Sequence, residues 1–181
     1  MGITYWKGDA EVMGYVKKAM AQWHQDLEKA EVLVGVLMCS TDKEDGHALK
    51  AGGYPALATI KVVPLKDRIT KNYDAELMLD AAFWESATAE RKLALIDHEL
   101  CHLRLKEPKA NQQNVKMIGD LAVLYDDHNR PIIRTVPADW NVGDGFEEVV
   151  KRHGTIAHEV TSVKSIGDRL NALVKTKLDD A

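Results

Sequence analysis

Residues 95–102 read Leu95-Ile96-Asp97-His98-Glu99-Leu100-Cys101-His102, and this stretch decides which fold and chemistry we expect. Two histidines stand four residues apart, and a glutamate directly follows the first. On a helix, residues i and i+4 lie on one face about a turn apart, so both imidazoles can reach one metal ion. Glu99 lies one step around the helix, where it can take a proton from a water beside the ion. This HExxH spacing predicts zinc-assisted hydrolysis, usually of a peptide bond.

The residues around the motif predict a long helix that is anchored in the core. Thr88 is a good N-cap, Glu90 stands in the first turn, and no proline or glycine interrupts the run. A core-facing stripe at i, i+3, i+7 and i+10 is formed by Leu93, Ile96, Leu100 and Leu103. His98 and His102 lie off this stripe and can face a cleft. We interpret Asp97 as an exposed helix carboxylate.

Composition describes an ordinary soluble globule. The 181 residues suit one domain, 45% are hydrophobic and 29% are charged. A net charge of −4 gives no support for broad nucleic-acid binding. Cys39 and Cys101 are expected to be buried thiols rather than a disulfide pair. Neither a signal peptide nor a membrane-spanning run is predicted, so a cytoplasmic location is expected.

The order of predicted elements indicates an α+β fold. We expect a helix over 9–30, strands over 32–39, 56–63 and 75–80, and a loop over 40–54. Strands over 121–125 and 132–136 form a β-hairpin in outline, and helices are expected to follow over 144–152, 156–163 and 168–178. Many zincins place a small sheet ahead of the HExxH helix, and an edge strand of such a sheet can pair with an extended peptide. The order here is compatible with that arrangement.

A catalytic zinc normally takes three protein ligands, and the sequence leaves the third one open. The metzincin pattern is excluded, because Leu105 and Pro108 stand where it needs glycine and histidine. Carboxylate candidates are Glu147 and Glu148 on a predicted helix, Asp144 at the start of that helix, and Asp139 before it. His128 is more simply explained by turn chemistry, and His153 by the favourable place of a cation at a helix C-terminus.

The motif and its surroundings resemble the phage metallopeptidase family, which are SprT-like minimal zincins of phages and prophages. The resemblance rests on residues 95–102, on Phe83-Trp84 and on the helix start at Thr88, and it extends over about 33–154. It implies a minimal zincin-like fold with a small, mostly antiparallel sheet packed on the HExxH helix and with flanking helices. It also implies a single domain over 1–181, with a core over about 31–154 and a C-terminal helical extension over 155–181.

The resemblance further implies a Zn²⁺ cofactor, a peptide or protein substrate and, for a phage-encoded chain, the host cytoplasm. Relatives tend to carry a His-Asp pair after the hairpin, whereas this chain has Pro137-Ala138-Asp139-Trp140. The aspartate is kept and the histidine is not. Asp139 is therefore the expected third ligand by resemblance, with Asp144, Glu147 and Glu148 as alternatives.

Two functions of different classes follow from these observations. The first is a zinc-dependent metallopeptidase in which His98 and His102 bind the ion and Glu99 is the general base. The alternative is a catalytically weak or inactive metal-binding phage or prophage protein that acts as a binding or regulatory module. The missing histidine motivates this alternative. The oligomeric state is not predicted.

Overall fold

The computed structural model describes residues 2–42, 47–51, 53–137, 146–157 and 160, and the structural statements below concern these residues. The strands are β1 (Ile3–Lys7), β2 (Val34–Thr41), β3 (Leu49–Ala51), β4 (Tyr54–Ala56), β5 (Ala58–Val62), β6 (Ala75–Asp80), β7 (Leu103–Leu105), β8 (Val115–Ile118), β9 (Leu121–Leu124) and β10 (Ile133–Thr135). The helices are α1 (Ala10–Trp23), α2 (Gln25–Lys29), α3 (Leu65–Lys71), α4 (Ala81–Ser86), α5 (Ala89–Cys101) and α6 (Phe146–His153), followed by a 3-10 turn (Gly154–Ile156).

The main sheet has the strand order β1-β2-β6-β5. The β2–β6 pair is parallel, and the β1–β2 and β5–β6 pairs are antiparallel. Three two-stranded antiparallel sheets, β7–β10, β3–β4 and β8–β9, complete the described strands. This architecture confirms the predicted α+β fold. The apolar strand β2 lies inside the sheet, as expected, and β6 has the predicted bounds.

Helices α1 and α5 pack together beside the sheet, and their apolar sides enter one core cluster with it. From α1 the cluster takes Val12, Val16, Ala19 and Met20, and from α5 it takes Leu95, Ile96 and Leu100. Leu77 and Leu79 of β6 have no solvent exposure. The predicted α5 stripe is confirmed at Ile96, Leu100 and Leu103, and Leu93 is partly buried. None of the described helices is long and apolar enough to span a membrane.

The expectation of one helix over 9–30 is wrong. The helix ends at Trp23, and α2 begins at Gln25, because His24 has the non-helical angles φ −123° and ψ 50°. Neither proline nor glycine causes the break. The side chain of His24 is buried, and its Nε2 lies 2.7 Å from an oxygen of Asp97. A contact 73 residues away in the chain accompanies the break, and the helical pattern alone does not contain this information.

The expected hairpin over 121–136 is also wrong in its pairing. Strand β9 pairs with β8, and β10 pairs with β7, the strand that directly follows α5. What remains of the hairpin is the turn, a bridge between Tyr125 and Pro131, and two backbone hydrogen bonds, from the Ile132 amide to the Leu124 carbonyl at 2.8 Å and from the Asp126 amide to the Arg130 carbonyl at 2.9 Å. Proline has no amide hydrogen to donate, which disfavours a continued ladder at that point. Within the expected loop over 40–54, residues 49–51 form β3 and pair with β4.

Strand β1 and helix α3 are among the further elements that were not expected from the sequence. Strand β1 covers one edge of the main sheet, and all five of its residues are exposed. Helix α3 follows Pro64 and ends at Asn72, whose φ of 57° is left-handed. The expected helix over 144–152 is found as α6. Of the later expectations, the helix over 168–178 lies outside the described residues, as does most of 156–163.

The carboxylate of Glu76 ties β6 to β5 and α3. One oxygen lies 2.9 Å from Nζ of Lys61, and the other accepts hydrogen bonds of 2.6 Å from Lys71 and Tyr73. Burial by itself would raise the pKa of Glu76, but the hydrogen bonds from Lys71, Tyr73 and Lys61 lower it from 4.5 to about 2. The ionised carboxylate is therefore favoured by the fold.

We expect Glu76→Gln to lower the free energy of unfolding at neutral pH by up to about 3 kcal/mol. The folded-state pKa is depressed, so this contribution is present above the unfolded pKa and is lost as the pH falls from about 5 to about 2. Urea unfolding of the variant should therefore show a shallower loss of stability over that range than the parent protein. Glu85→Gln, at an exposed position, is the control, and equal pH profiles for Glu76→Gln and the parent would contradict the assignment.

Candidate metal centre

Helix α5 carries the motif and is fixed at both ends. At its start, the Thr88 side chain accepts a hydrogen bond from the Arg91 amide, which confirms the expected N-cap. At its end, Nη1 of Arg104 donates to the Cys101 and Leu103 carbonyls at 2.9 Å, and the Val136 amide donates to the His102 carbonyl at 2.8 Å. These donors satisfy carbonyls that a helix end leaves without partners. The last turn, which contains the motif, is therefore held firmly.

The two motif histidines lie side by side on this last turn. Their ring centroids are 5.2 Å apart, and the ring planes are nearly perpendicular, at 81°. His98 is buried with 8% exposure, whereas His102 is half-buried. Two nitrogens that bind one tetrahedral zinc stand about 3.3 Å apart, given zinc–nitrogen distances of about 2.0–2.1 Å. A centroid separation of 5.2 Å allows one nitrogen of each ring to come within reach of the same ion.

A second contact orients His102. Its Nδ1 lies 2.9 Å from the Val136 carbonyl, which places the proton on Nδ1 as the donor. Two hydrogen bonds therefore join Val136 and His102. One runs from the Val136 amide to the His102 carbonyl, and the other from the His102 imidazole to the Val136 carbonyl. Metal-binding histidines usually make such a bond through the nitrogen that does not bind the metal. Nε2 of His102 is the nitrogen left in the form that can bind an ion.

Glu99 is buried, with 5% exposure, beside these two histidines in the chain. Each helical residue turns by about 100°, so the Glu99 side chain leaves the helix on the neighbouring face to His98. A carboxylate next to a metal position can act as a base.

Among the described residues, His98 and His102 are not part of any group of three or more potential metal ligands. Asp139 and Asp144 lie outside them. Glu147 and Glu148 are on the first turn of α6, with side chains 64% and 51% exposed, and both contact Lys151 Nζ, at 3.1 Å and 2.9 Å. Among described side chains, the group of three or more potential ligands that comes together is His24, Asp97 and Cys101, which contains neither motif histidine. The two carboxylates on α6 are thus engaged with a lysine at the surface.

Asp97 corrects an expectation of the sequence analysis, because it is not an exposed carboxylate. Its side chain has no solvent exposure. Its oxygens lie 2.7 Å from His24 Nε2, 2.9 Å from His153 Nε2, and 3.0 Å and 3.2 Å from Arg152 Nη1. Burial would raise the pKa of Asp97, but its bonds to His24, Arg152 and His153 outweigh burial and lower it. An ionised Asp97 therefore links α5 to α6 and to the α1–α2 break.

The sequence predicts His153 at a helix C-terminus and His128 in a turn, and the structure adds the contacts of both residues. His153 does stand in the last turn of α6, but its ring is packed edge-on against Trp23, with centroids 4.9 Å apart, and binds Asp97. His128 is exposed in the turn, where its amide donates to Asp126 Oδ1 at 2.9 Å. The turn interpretation of His128 thus agrees with its observed contacts.

The chain was compared with known protein families, curated proteins and solved structures. The family model described as "putative phage metallopeptidase" matches residues 4–175. The chain belongs to this family. No curated protein and no solved structure matches the chain.

The family's description implies that its members use a metal ion and act on peptides. The matched region begins at residue 4 and so includes α1 and the helix break at His24. Both lie before residues 33–154, the range over which the sequence resembles the family. The Asp97 cluster, formed by His24, Asp97, Arg152 and His153, was missed from sequence. Its members are scattered over 130 positions, and only Arg152 and His153 are neighbours in the sequence, so no local spacing pattern connects them with His24 and Asp97.

We expect Asp97→Ala to lower the free energy of unfolding by about 3 kcal/mol, because it leaves the buried His24 and the partly covered side chains of Arg152 and His153 without their shared partner. Chemical denaturation monitored by circular dichroism measures this change. Asp120→Ala, which removes an exposed carboxylate in the β8–β9 turn, should cost less than about 0.5 kcal/mol. Similar losses for the two variants would show that the Asp97 cluster does not hold the helices together.

Proposed function

We propose that the chain is a zinc-dependent peptidase whose ion is bound by His98 and His102 and whose general base is Glu99. The observation that carries the proposal is the pair of adjacent imidazoles at the end of α5, one of them oriented by the Val136 carbonyl. Family membership supports the same reaction class. The position of Glu99 between the two histidines in sequence matches the order in which ligand and base occur in HExxH hydrolases.

A bound zinc ion would lower the pKa of the attacking water from about 15.7 toward about 7 and would polarise the scissile carbonyl. Glu99 would accept the proton of that water and later deliver it to the leaving amine. Its burial places the carboxylate where bulk water competes little with substrate. His102 would keep its ring fixed during this cycle, because its Nδ1–H stays bonded to the Val136 carbonyl.

For the third ligand we propose Asp139, with Asp144, Glu147 and Glu148 as alternatives. The support is the position of Asp139 in the chain. It comes three residues after Val136, which is joined to His102 by two hydrogen bonds. Three residues of extended chain span at most about 11 Å, so the connection from Val136 is short enough for Asp139 to be proposed as a ligand of the same ion. Glu147 and Glu148 would first have to leave Lys151.

For the substrate we propose an extended peptide that pairs with β5. This strand is an edge of the main sheet in the described residues, and it contacts α5, which carries the motif. Added strands gain main-chain hydrogen bonds without demanding particular side chains.

The single-domain organisation over 1–181 and a location in the host cytoplasm are part of the same proposal. Cys39 and Cys101 are not joined in a disulfide, as such a location would require.

We expect Glu99→Gln to slow hydrolysis by at least about 100-fold while zinc stays bound, because the amide cannot accept the proton. Cleavage of fluorescently labelled casein and of a mixed peptide library measures the rate, and elemental analysis measures zinc per chain. Glu107→Gln, an exposed glutamate beyond the motif, is the matched control. Full activity of Glu99→Gln would exclude Glu99 as the base. Bound zinc without any cleavage by the parent protein would favour the non-catalytic alternative.

We expect Asp139→Ala to weaken zinc binding by more than about 100-fold, with His98→Ala and His102→Ala at least as damaging. Competition with a chelating dye measures the affinity. Asp144→Ala, Glu147→Gln and Glu148→Gln serve as matched carboxylate controls and should change the affinity by less than about threefold. A large loss in one of these controls, with Asp139→Ala unaffected, would move the third ligand to that residue.

A further inference from the structure

We propose that His24, Asp97 and Cys101 form a second metal site, for a thiophilic divalent cation such as Zn²⁺, that is separate from the HExxH pair. The donor atoms of these three side chains all lie within 4.8 Å of one another, and all three residues are buried. They come from α5 and from the break between α1 and α2. The proposal does not depend on the peptidase activity.

Helix geometry separates the two sites. Asp97 and Cys101 are four residues apart, as are His98 and His102, so each pair shares one face of α5. The two faces are turned from each other by about 100°. The Asp97 and Cys101 face is covered by α6 and by the 3-10 turn, since Cys101 packs with Val149 and Ala157 in one apolar cluster. A cation there would be enclosed by protein.

His24 reaches this face because the helix breaks at that residue. The backbone of His24 stays satisfied, since its amide donates to the Met20 carbonyl and its carbonyl accepts from the Glu28 amide, both at 3.0 Å. The change of chain direction therefore costs no hydrogen bond at His24. The imidazole is delivered to Asp97 with its Nε2 at 2.7 Å from Oδ1, and a buried histidine at a helix break without glycine or proline is a feature that the site explains.

The carboxylate already has the outer partners that metal-binding carboxylates usually have. Nη1 of Arg152 lies within 3.2 Å of both Asp97 oxygens, and Nε2 of His153 lies 2.9 Å from Oδ2. Trp23 covers this second layer, with its ring in contact with His153 and Arg152. When His24 binds a cation through Nε2, Asp97 keeps Arg152 and His153, and Oδ1 turns to the cation.

The donor set selects the class of cation. Imidazole nitrogen, carboxylate oxygen and thiolate sulfur suit zinc and its surrogates cobalt and cadmium, whereas calcium and magnesium prefer oxygen alone. Donors around a tetrahedral zinc stand about 3.3–3.7 Å apart, so the cluster needs only small side-chain rotations to close on an ion. The thiol of Cys101 gives up its proton on binding. The competing arrangement is the hydrogen-bonded cluster with no metal.

Cobalt distinguishes these arrangements, because a thiolate bound to Co²⁺ gives a charge-transfer band in the near ultraviolet and the HExxH pair contains no sulfur. The metal-depleted full chain is titrated with Co²⁺ in the presence of a phosphine reductant. We expect the band to appear and to be lost in Cys101→Ser. Cys39→Ser is the matched control and should keep the band. Cys39 is also fully buried, but burial, together with Asp80 and Glu76, raises its pKa to about 11, which disfavours a thiolate.

Stoichiometry separates this proposal from the proposed function. We expect the double variant His98→Ala, His102→Ala to keep the band and Cys101→Ser to keep the cobalt held by the HExxH pair. If only the band-forming ion binds, the second site stands and the zinc peptidase proposal fails. If cobalt binds without a band, the second site is overturned. Should Cys101→Ser misfold by circular dichroism, His24→Gln replaces it and must weaken the band-forming ion by at least about tenfold. Unchanged affinity in His24→Gln overturns the proposal.

Discussion

The packing of the helices depends on one buried charge, the carboxylate of Asp97. A carboxylate without solvent contact is unfavourable in a protein interior unless it is paired and hydrogen-bonded. Its partners come from two other regions of the chain, His24 between α1 and α2 and the Arg152-His153 pair at the end of α6. Each of these regions has to approach α5 closely. The break at His24 and the docking of α6 therefore both serve the same electrostatic requirement.

This arrangement gives α5 three different faces within its last turns. Ile96 and Leu100 enter the apolar core, Asp97 and Cys101 face the polar cluster and α6, and His98 and His102 form the candidate zinc site. Because the first two faces are fully packed, the helix has little freedom to rotate, and the directions of the two histidines are set. Val136, which directly follows β10, contacts His102 and so connects this strand to the end of α5. The segment toward Asp139 therefore starts from a fixed point beside the histidines.

Features written in local sequence were predictable, and features set by distant contacts were not. The Thr88 cap, the α5 stripe and the bounds of β6 follow from capping and hydrophobic periodicity over neighbouring residues. The HExxH spacing is local in the same way. The exposure of Asp97 depends on α1 and α6, which pack on it from far along the chain. The pairing of β10 with β7 rather than with β9 likewise depends on where α5 ends. Strand β1 was missed because it is short and exposed on both faces.

Anomalous diffraction at the zinc edge, from crystals of the zinc-loaded chain, tests directly whether a zinc ion binds between His98 and His102, as we propose. We expect an anomalous peak about 2.0–2.1 Å from a ring nitrogen of each histidine, with Nε2 as the ligand atom of His102. The same map identifies the residue that completes the site. Absence of a peak between the two rings, in crystals grown with excess zinc, would contradict the account.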